Sequence, residues 1–308
     1  MKTQKQIWEK KGLIFKKLPF KWAKSHSMVP TPLKITEYKY RIFFGTRNNK
    51  NQSSVGYIDY DFKNFKLIKK SNRPCFEIGN IGSFDDNGVL PSSVLKIKKK
   101  FYLFYIGWKP AGTTRYSLIT GLAYSNDNGL NFKRESKSPI LFTSNKEPYS
   151  ILTGANVIKS SKNKFLMWYV SGLKWKNKNL PFYNIKFAHS KNIKDWVQTG
   201  VVAIKLKKKE RAVARPFVIK EKSKFRMWYC YEKNKGSYNI GYAESKNGFK
   251  WKRLDKNIKF IGPKNHWDKK MMEYPSVIQV KNKKYMLYNG NNYGETGIGL
   301  AQLIKDNY

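Results

Sequence analysis

Hydrophobic positions in this chain fall into short alternating bursts rather than helical stripes, and the bursts recur. Ala214 to Tyr231, ARPFVIKEKSKFRMWYCY, reads as a strand, a charged turn and a second strand carrying Met227-Trp228-Tyr229. The same design returns in Gly154 to Gly172 (GANVIKSSKNKFLMWYVSG), Pro91 to Gly107 (PSSVLKIKKKFYLFYIG) and Tyr274 to Gly290 (YPSVIQVKNKKYMLYNG), and more weakly in Pro32 to Gly45 (PLKITEYKYRIFFG). The matched aromatic-strand positions are Phe43, Phe104, Trp168, Trp228 and Leu287, separated by 61, 64, 60 and 59 residues. A near-constant period of this length with strand-like content points to a radial β-repeat.

Each repeat continues past its aromatic strand in the same way. A linker leads to a third strand (Gly121 to Ser125, Ile185 to Ser190, Ile240 to Ser245). A turn of NDNG, KNIKD or KNG follows, then an aromatic (Phe132, Trp196, Trp251) and a fourth strand. Asn, Asp and Gly in those turns tolerate the positive φ that tight turns require. The last repeat ends after its third strand, whereas Trp8 to Phe15 resembles the fourth strands VQTGVVAI and KRLDKNIKF. The expectation is therefore an all-β chain, 1–308, forming a single five-bladed β-propeller of four-stranded blades. Its ring is closed by an N-terminal strand, about residues 7–16, that completes the last blade and removes a sheet edge.

Composition narrows the picture. The hydrophobic fraction of 40% and aromatic fraction of 16% are too high for a disordered chain. No apolar run reaches membrane-helix length, and MKTQKQIWEKKG lacks the apolar stretch of a signal peptide, so a cytoplasmic location is expected. Cys75 and Cys230 are too few for a disulfide framework or a cysteine zinc site, and no cofactor is expected. The net charge of +42 admits two readings. Lysine spread through many turns, with little arginine, fits compositional bias; a charge of this size also fits an anionic partner. No helix-turn-helix, zinc finger or RNA-binding signature is present, so nucleic-acid binding through charge alone is the weakest reading.

In a small propeller, chemistry gathers at the mouth of the channel lined by the innermost strands. Acids number only 20, yet Asp85-Asp86, Glu210 and Glu273 each sit just before a first strand. Paired carboxylates are what glycosidic cleavage needs: one protonated donor to the leaving oxygen, and one base or nucleophile. Asp85, Asp86, Glu210 and Glu273 are therefore catalytic candidates, beside the plainer reading of polar turns and local ion pairs. Arg47, Arg211 and Arg215 flank inner strands, and their planar forks suit carboxylate, phosphate or sulfate. Bracing of channel acids is their alternative role. His26 is an acid/base or ligand candidate. Trp108, Trp175 and Tyr274 are candidates for stacking on a sugar face or for packing between blades.

The repeated pattern P-x-V-I … K-x-x-M-W-Y, followed by G-Y-A-x-S-x-x-G-x-x-W (GYAESKNGFKW at Gly241 to Trp251), resembles the five-bladed propeller glycoside hydrolases and phosphorylases. These include the arabinanase/xylosidase, invertase/levansucrase and mannoside phosphorylase groups. Ser125, Asp127, Gly129 and Phe132 also resemble the structural Asp-box turn of sialidase-type propellers. The resemblance spans nearly the whole chain and speaks more to fold than to activity. It implies a carbohydrate substrate. The hydrolase groups usually carry an acid in the first blade, where this chain reads HSMVPTPLKI, and the third blade reads TGANV. The basic residues at the expected mouth are closer to phosphorylases, which hold phosphate with cationic side chains. The expected function is a carbohydrate-active enzyme, hydrolase- or phosphorylase-like, on a glycan or activated sugar bearing an anionic group. The competing expectation is a noncatalytic propeller that binds sugar or scaffolds surface-polysaccharide assembly.

Overall fold

The computed structural model describes residues 6–221, 223–233, 236–263 and 266–306, and they are almost entirely β. Each sequence repeat becomes one antiparallel meander. The first runs through Ser25–Lys34, Lys39–Arg47, Ser53–Asp61 and Lys66–Lys70. The second uses Gly88–Ile97, Lys100–Pro110, Tyr116–Ser125 and the short Lys133–Arg134. The third uses Ile151–Ser161, Lys164–Trp175, Pro181–Ser190 and Val197–Ile204. The fourth uses Ala212–Lys220, Phe225–Glu232, Tyr238–Ser245 and Lys252–Arg253.

The fifth meander, Glu273–Val280, Lys283–Asn289 and Ile298–Asp306, takes its fourth strand from the other end of the chain. Gln6–Phe15 pairs antiparallel with Ile298–Asp306. One strand departs from expectation. KRLDKNIKF does not form a single fourth strand of the fourth meander. Asp255 is gripped by Tyr229, Arg253 and the amide of Tyr242, and a short 3-10 turn, Asp255–Asn257, redirects the chain. Ile258–Ile261 then lies parallel on the outer side of Gln6–Phe15.

The repeated aromatic positions explain why the meanders stack. Phe43, Phe104, Trp168, Trp228 and Leu287 are all fully buried. They pack against the fourth-position aromatics of other repeats: Phe43 on Phe132, Phe104 on Trp196, Trp168 on Trp251. Truncating one such aromatic to alanine costs about 3–5 kcal/mol. Gln6 links the chain's early strand to the fourth meander, because its Oε1 accepts from both Trp8 Nε1 and Trp228 Nε1 at 3.1 Å. Arg226 adds a second tie to the late strand, bonding both carboxylate oxygens of Asp306.

The first strands of four meanders carry a bulge at the same place, and the first bulged residue is left-handed: Val29 (φ 58°), Gly154 (φ 60°), Arg215 (φ 50°) and Tyr274 (φ 54°). For a β-branched residue such as Val29 this is a costly conformation. Bulges re-aim side chains at sites, and strain kept in this way marks positions that the surrounding structure holds deliberately.

Candidate functional site

The cavity at the starting ends of the first strands has a volume of about 480 Å³. Four residues singled out in the sequence line it: Arg47, Trp108, Arg211 and Tyr274. Arg47 ends the second strand of the first meander; Trp108 lies near the end of the corresponding strand in the second, with its Nε1 donating to Ser53 Oγ at 2.8 Å. Tyr274 reaches the cavity from its bulge. Sequence reasoning missed Arg115, Tyr116, Asn179, Tyr183, Tyr238 and Tyr293, which complete much of the wall. They lie on linkers and strand ends that carry no repeat signal. Tyr183 and Tyr238 are hydrogen-bonded through their hydroxyls, and Tyr238 meets Tyr293 edge-on. Trp175 supports the wall from behind, edge-on to Tyr116 at 5.5 Å.

The electrostatics are one-sided. Arg211 donates to the Pro181 carbonyl at 2.9 Å and pairs with the buried Glu232. Among the described residues, no carboxylate lies in salt-bridge reach of Arg47 or Arg115, and none lines the cavity. Burial lowers the pKa of Arg47; the nearby charge of Arg115 lowers it further, and the carboxylate of Glu295, beyond salt-bridge reach, opposes the shift. His26 is left-handed (φ 65°) and its Nδ1 meets Ser25 Oγ at 2.8 Å. It sits outside the cavity lining. Burial, then the charge of Arg47, pushes its pKa down to about 4, so it is neutral at pH 7.

The four acids do not converge on the cavity. Asp85 is fully buried and accepts from Tyr105 Oη at 3.0 Å and Arg134 Nε at 2.8 Å. Asp86 caps the amide of Gly82 at 2.9 Å. Glu210 is buried against Arg253, accepting from Nη1 at 2.7 Å and Nη2 at 3.0 Å. Glu273 alone of the four has no cation partner among the described residues: it is fully buried, and burial, then Glu232, raises its pKa well above the usual carboxylate value, with the adjacent Tyr274 side chain opposing the shift. Arg215 also stays out of the lining, buried with Nη2 on Thr31 Oγ1 at 3.1 Å.

Asp85 belongs to a motif repeated around the fold. The residue after each core aromatic is Tyr105, Tyr169, Tyr229 or Tyr288, and each hydroxyl donates to a carboxylate: Asp85, Glu147, Asp255 and Asp268. A cation neutralises each acid: Arg134, Lys186, Arg253 and Lys10. The first meander has Phe44 in place of the tyrosine. Of the scarce acids placed before inner strands, Asp85 is thus accounted for by tyrosine bracing and Glu210 by its pair with Arg253.

Antiparallel meanders repeated around an aromatic core, with one cavity at their first-strand ends, are the build of propeller glycosidases. In fold, and over part of its sequence, the chain is similar to glycoside hydrolases and phosphorylases. The family model for beta-1,4-mannooligosaccharide phosphorylase matches residues 205–304. The uncharacterised protein Rv1502 of Mycobacterium tuberculosis is 33% identical over 301 residues, 96% of this chain and 99% of that protein, and the two share one family. A solved glycoside hydrolase superposes with a TM-score of 0.73 at 18% identity, covering 97% of this chain and 92% of that one. An exo-1,5-alpha-L-arabinanase from a bovine ruminal metagenomic library gives 0.61 at 14% identity, with 92% and 95% covered.

Proposed function

We propose that the chain folds as one five-bladed ring closed by Gln6–Phe15, and that its cavity takes a sugar together with an anionic group in a phosphorylase-like reaction. The observation that carries this reading is the pair Arg47 and Arg115, two cations at one cavity without a carboxylate partner among the described residues. Two like charges on one cavity favour an anion between them, and guanidinium forks match phosphate oxygens. Two-carboxylate hydrolysis needs acids flanking the scissile bond. Phosphorolysis needs one proton donor and a bound phosphate. A phosphate oxygen attacks the anomeric carbon, the glycosidic C–O bond breaks, and the leaving oxygen takes a proton. Tyr274 on the cavity wall is placed to give the leaving oxygen its proton, and Glu273 behind it, whose pKa burial raises, is the acid suited to resupply that proton.

The test is incubation with β-linked manno-oligosaccharides and a panel of other glycosides, with and without inorganic phosphate, reading glycosyl phosphate. Phosphate-dependent release that Glu273→Gln abolishes at unchanged melting temperature is the expected result. Turnover independent of phosphate and of Arg47 would remove the reading. The second reading, a sugar-binding propeller without turnover, is favoured by the lack of any carboxylate in the cavity lining among the described residues. Saturable binding of a hexose phosphate with no product across the panel would select it.

A further inference from the structure

The end of the molecule away from the cavity is built from turns, and the turns are basic. The cavity lies where first strands start, so the hairpins that join first to second strands point to the opposite end. Neighbouring hairpins meet there. Lys281 Nζ stands 5.1 Å over the Tyr38 ring, Lys220 Nζ donates to Ser160 Oγ at 3.3 Å, and Lys284 pairs with Glu221 at 2.8 Å. The hairpin tips read TEYK (36–39), IKKK (97–100), SKNK (161–164) and KNKK (281–284). Lys98, Lys99, Lys162, Lys281 and Lys283 are exposed, and Glu37 is the one exposed acid among the described residues of these tips.

Two tips hold lysine where the backbone favours another residue. Lys98 (φ 54°) and Lys281 (φ 50°) are left-handed, a conformation that glycine and asparagine adopt more readily. In KNKK the asparagine sits one place later, at Asn282, whose φ is not positive. Apolar side chains stand among the lysines. Third strands end at this same end, and the turns that follow them expose Phe65 (48%) and Phe249 (39%), while the first hairpin exposes Ile35 (45%). The turn carrying Phe249 also walls an open hollow of about 630 Å³, shared with the hairpin at Ser223 and Lys224. Lys246 and Lys250 line it, and its acid, Glu244, is spent on Lys224 at 2.8 Å and on the Tyr242 hydroxyl at 2.6 Å.

We propose that this end docks on a bilayer containing anionic phospholipid, with a headgroup phosphate seated in the hollow against Lys246 and Lys250. Ammonium groups meet the headgroups, and Ile35, Phe65 and Phe249 enter the acyl boundary beneath them. A soluble polyanion has no apolar layer for those side chains to enter, which is why the bilayer is the partner that fits. The cavity then opens away from the membrane. The proposal does not depend on the reaction assigned to the cavity.

The test is sedimentation of the full chain with vesicles of phosphatidylcholine alone and of phosphatidylcholine with a one-third share of phosphatidylglycerol. Binding only to the anionic vesicles, weakened by salt, is expected. Two quadruple variants then remove equal charge. One is Lys98→Asn, Lys99→Gln, Lys281→Asn and Lys283→Gln at the hairpin tips. The other is Lys176→Gln, Lys178→Gln, Lys205→Gln and Lys208→Gln, exposed lysines on linkers toward the cavity. Partition should fall about tenfold or more in the first and less than about threefold in the second. Equal losses would mean that net charge alone attracts the protein, and would overturn the proposal. Asparagine suits the left-handed turns, so the first variant should melt no lower than wild type, which separates lost binding from lost fold. Phe249→Ser supplies an arm that removes no charge. It should weaken vesicle partition about threefold or more and leave binding to dextran sulfate unchanged. Vesicle partition unaffected by Phe249→Ser, or wild-type binding to dextran sulfate without binding to anionic vesicles, excludes the bilayer.

Discussion

Glu210→Ala separates a brace from a catalyst. Glu210 is held by both terminal nitrogens of Arg253, at 2.7 and 3.0 Å, and accepts the Lys207 amide at 2.8 Å. Side-chain exposure is 2% for Glu210 and 10% for Arg253, so solvent screens the pair little. Removing one member of a buried pair costs about 3–5 kcal/mol. Arg253 keeps Asp255 at 2.9 Å, which puts the expected loss at the lower end, about 3 kcal/mol. An unfolding entropy of about 2.1 cal/mol/K per residue makes the slope about 0.65 kcal/mol/K for 308 residues, so the melting temperature should fall by about 5 °C. Calorimetry measures this. Binding of an anionic sugar ligand, titrated below the melting range, should change by no more than about twofold, or roughly 0.4 kcal/mol. Loss of turnover with the melting temperature within about 1 °C of wild type would return Glu210 to the catalytic machinery and refute the brace.

Three further outcomes are expected. Trp8→Ala removes a fully buried indole lying edge-on to Trp228 at 6.2 Å, and should lower stability by about 3–5 kcal/mol in denaturant unfolding, with Trp8→Phe recovering part of it. His26 has its folded pKa depressed to about 4 from 6.5, so the unfolded chain binds the proton first; stability should decline as pH falls from 6.5 toward 4, and thermal melts of His26→Gln should show a flatter decline. Arg47→Ala and Arg115→Ala should each weaken hexose phosphate binding by about tenfold or more, by calorimetric titration, with added salt narrowing the gap to wild type.

The repeat was legible because burial imposes it. Phe43, Phe104, Trp168, Trp228 and Leu287 recur because each must fill the same space between neighbouring sheets, and the register of the strands follows from them. The site was only half legible. Arg47, Trp108, Arg211 and Tyr274 could be placed because they border inner strands, whereas Arg115, Tyr183 and Tyr293 reach the cavity from linkers and a third strand with no periodic mark. The acids lie where they do for a physical reason. A buried tyrosine hydroxyl needs an acceptor, and Asp85 supplies one before its strand just as Asp255 does after another. One trace of this was present in the repeat itself: Phe44 stands where the other four have tyrosine, and a phenylalanine needs no acceptor.

The pairing of Gln6 with Asp306 joins positions 300 residues apart. At a synthesis rate of about 5–20 residues per second, the early strand waits about 15–60 s before its partner exists. During that interval Trp8 and Ile14 belong to an unsatisfied strand, open to pairing with the wrong edge or with another nascent chain. Glu9, Lys10 and Lys11 between them are the kind of charges that discourage such pairing. The last sheet is thus a late step of folding, and the yield of folded protein should respond to how quickly Ile298–Asp306 is delivered.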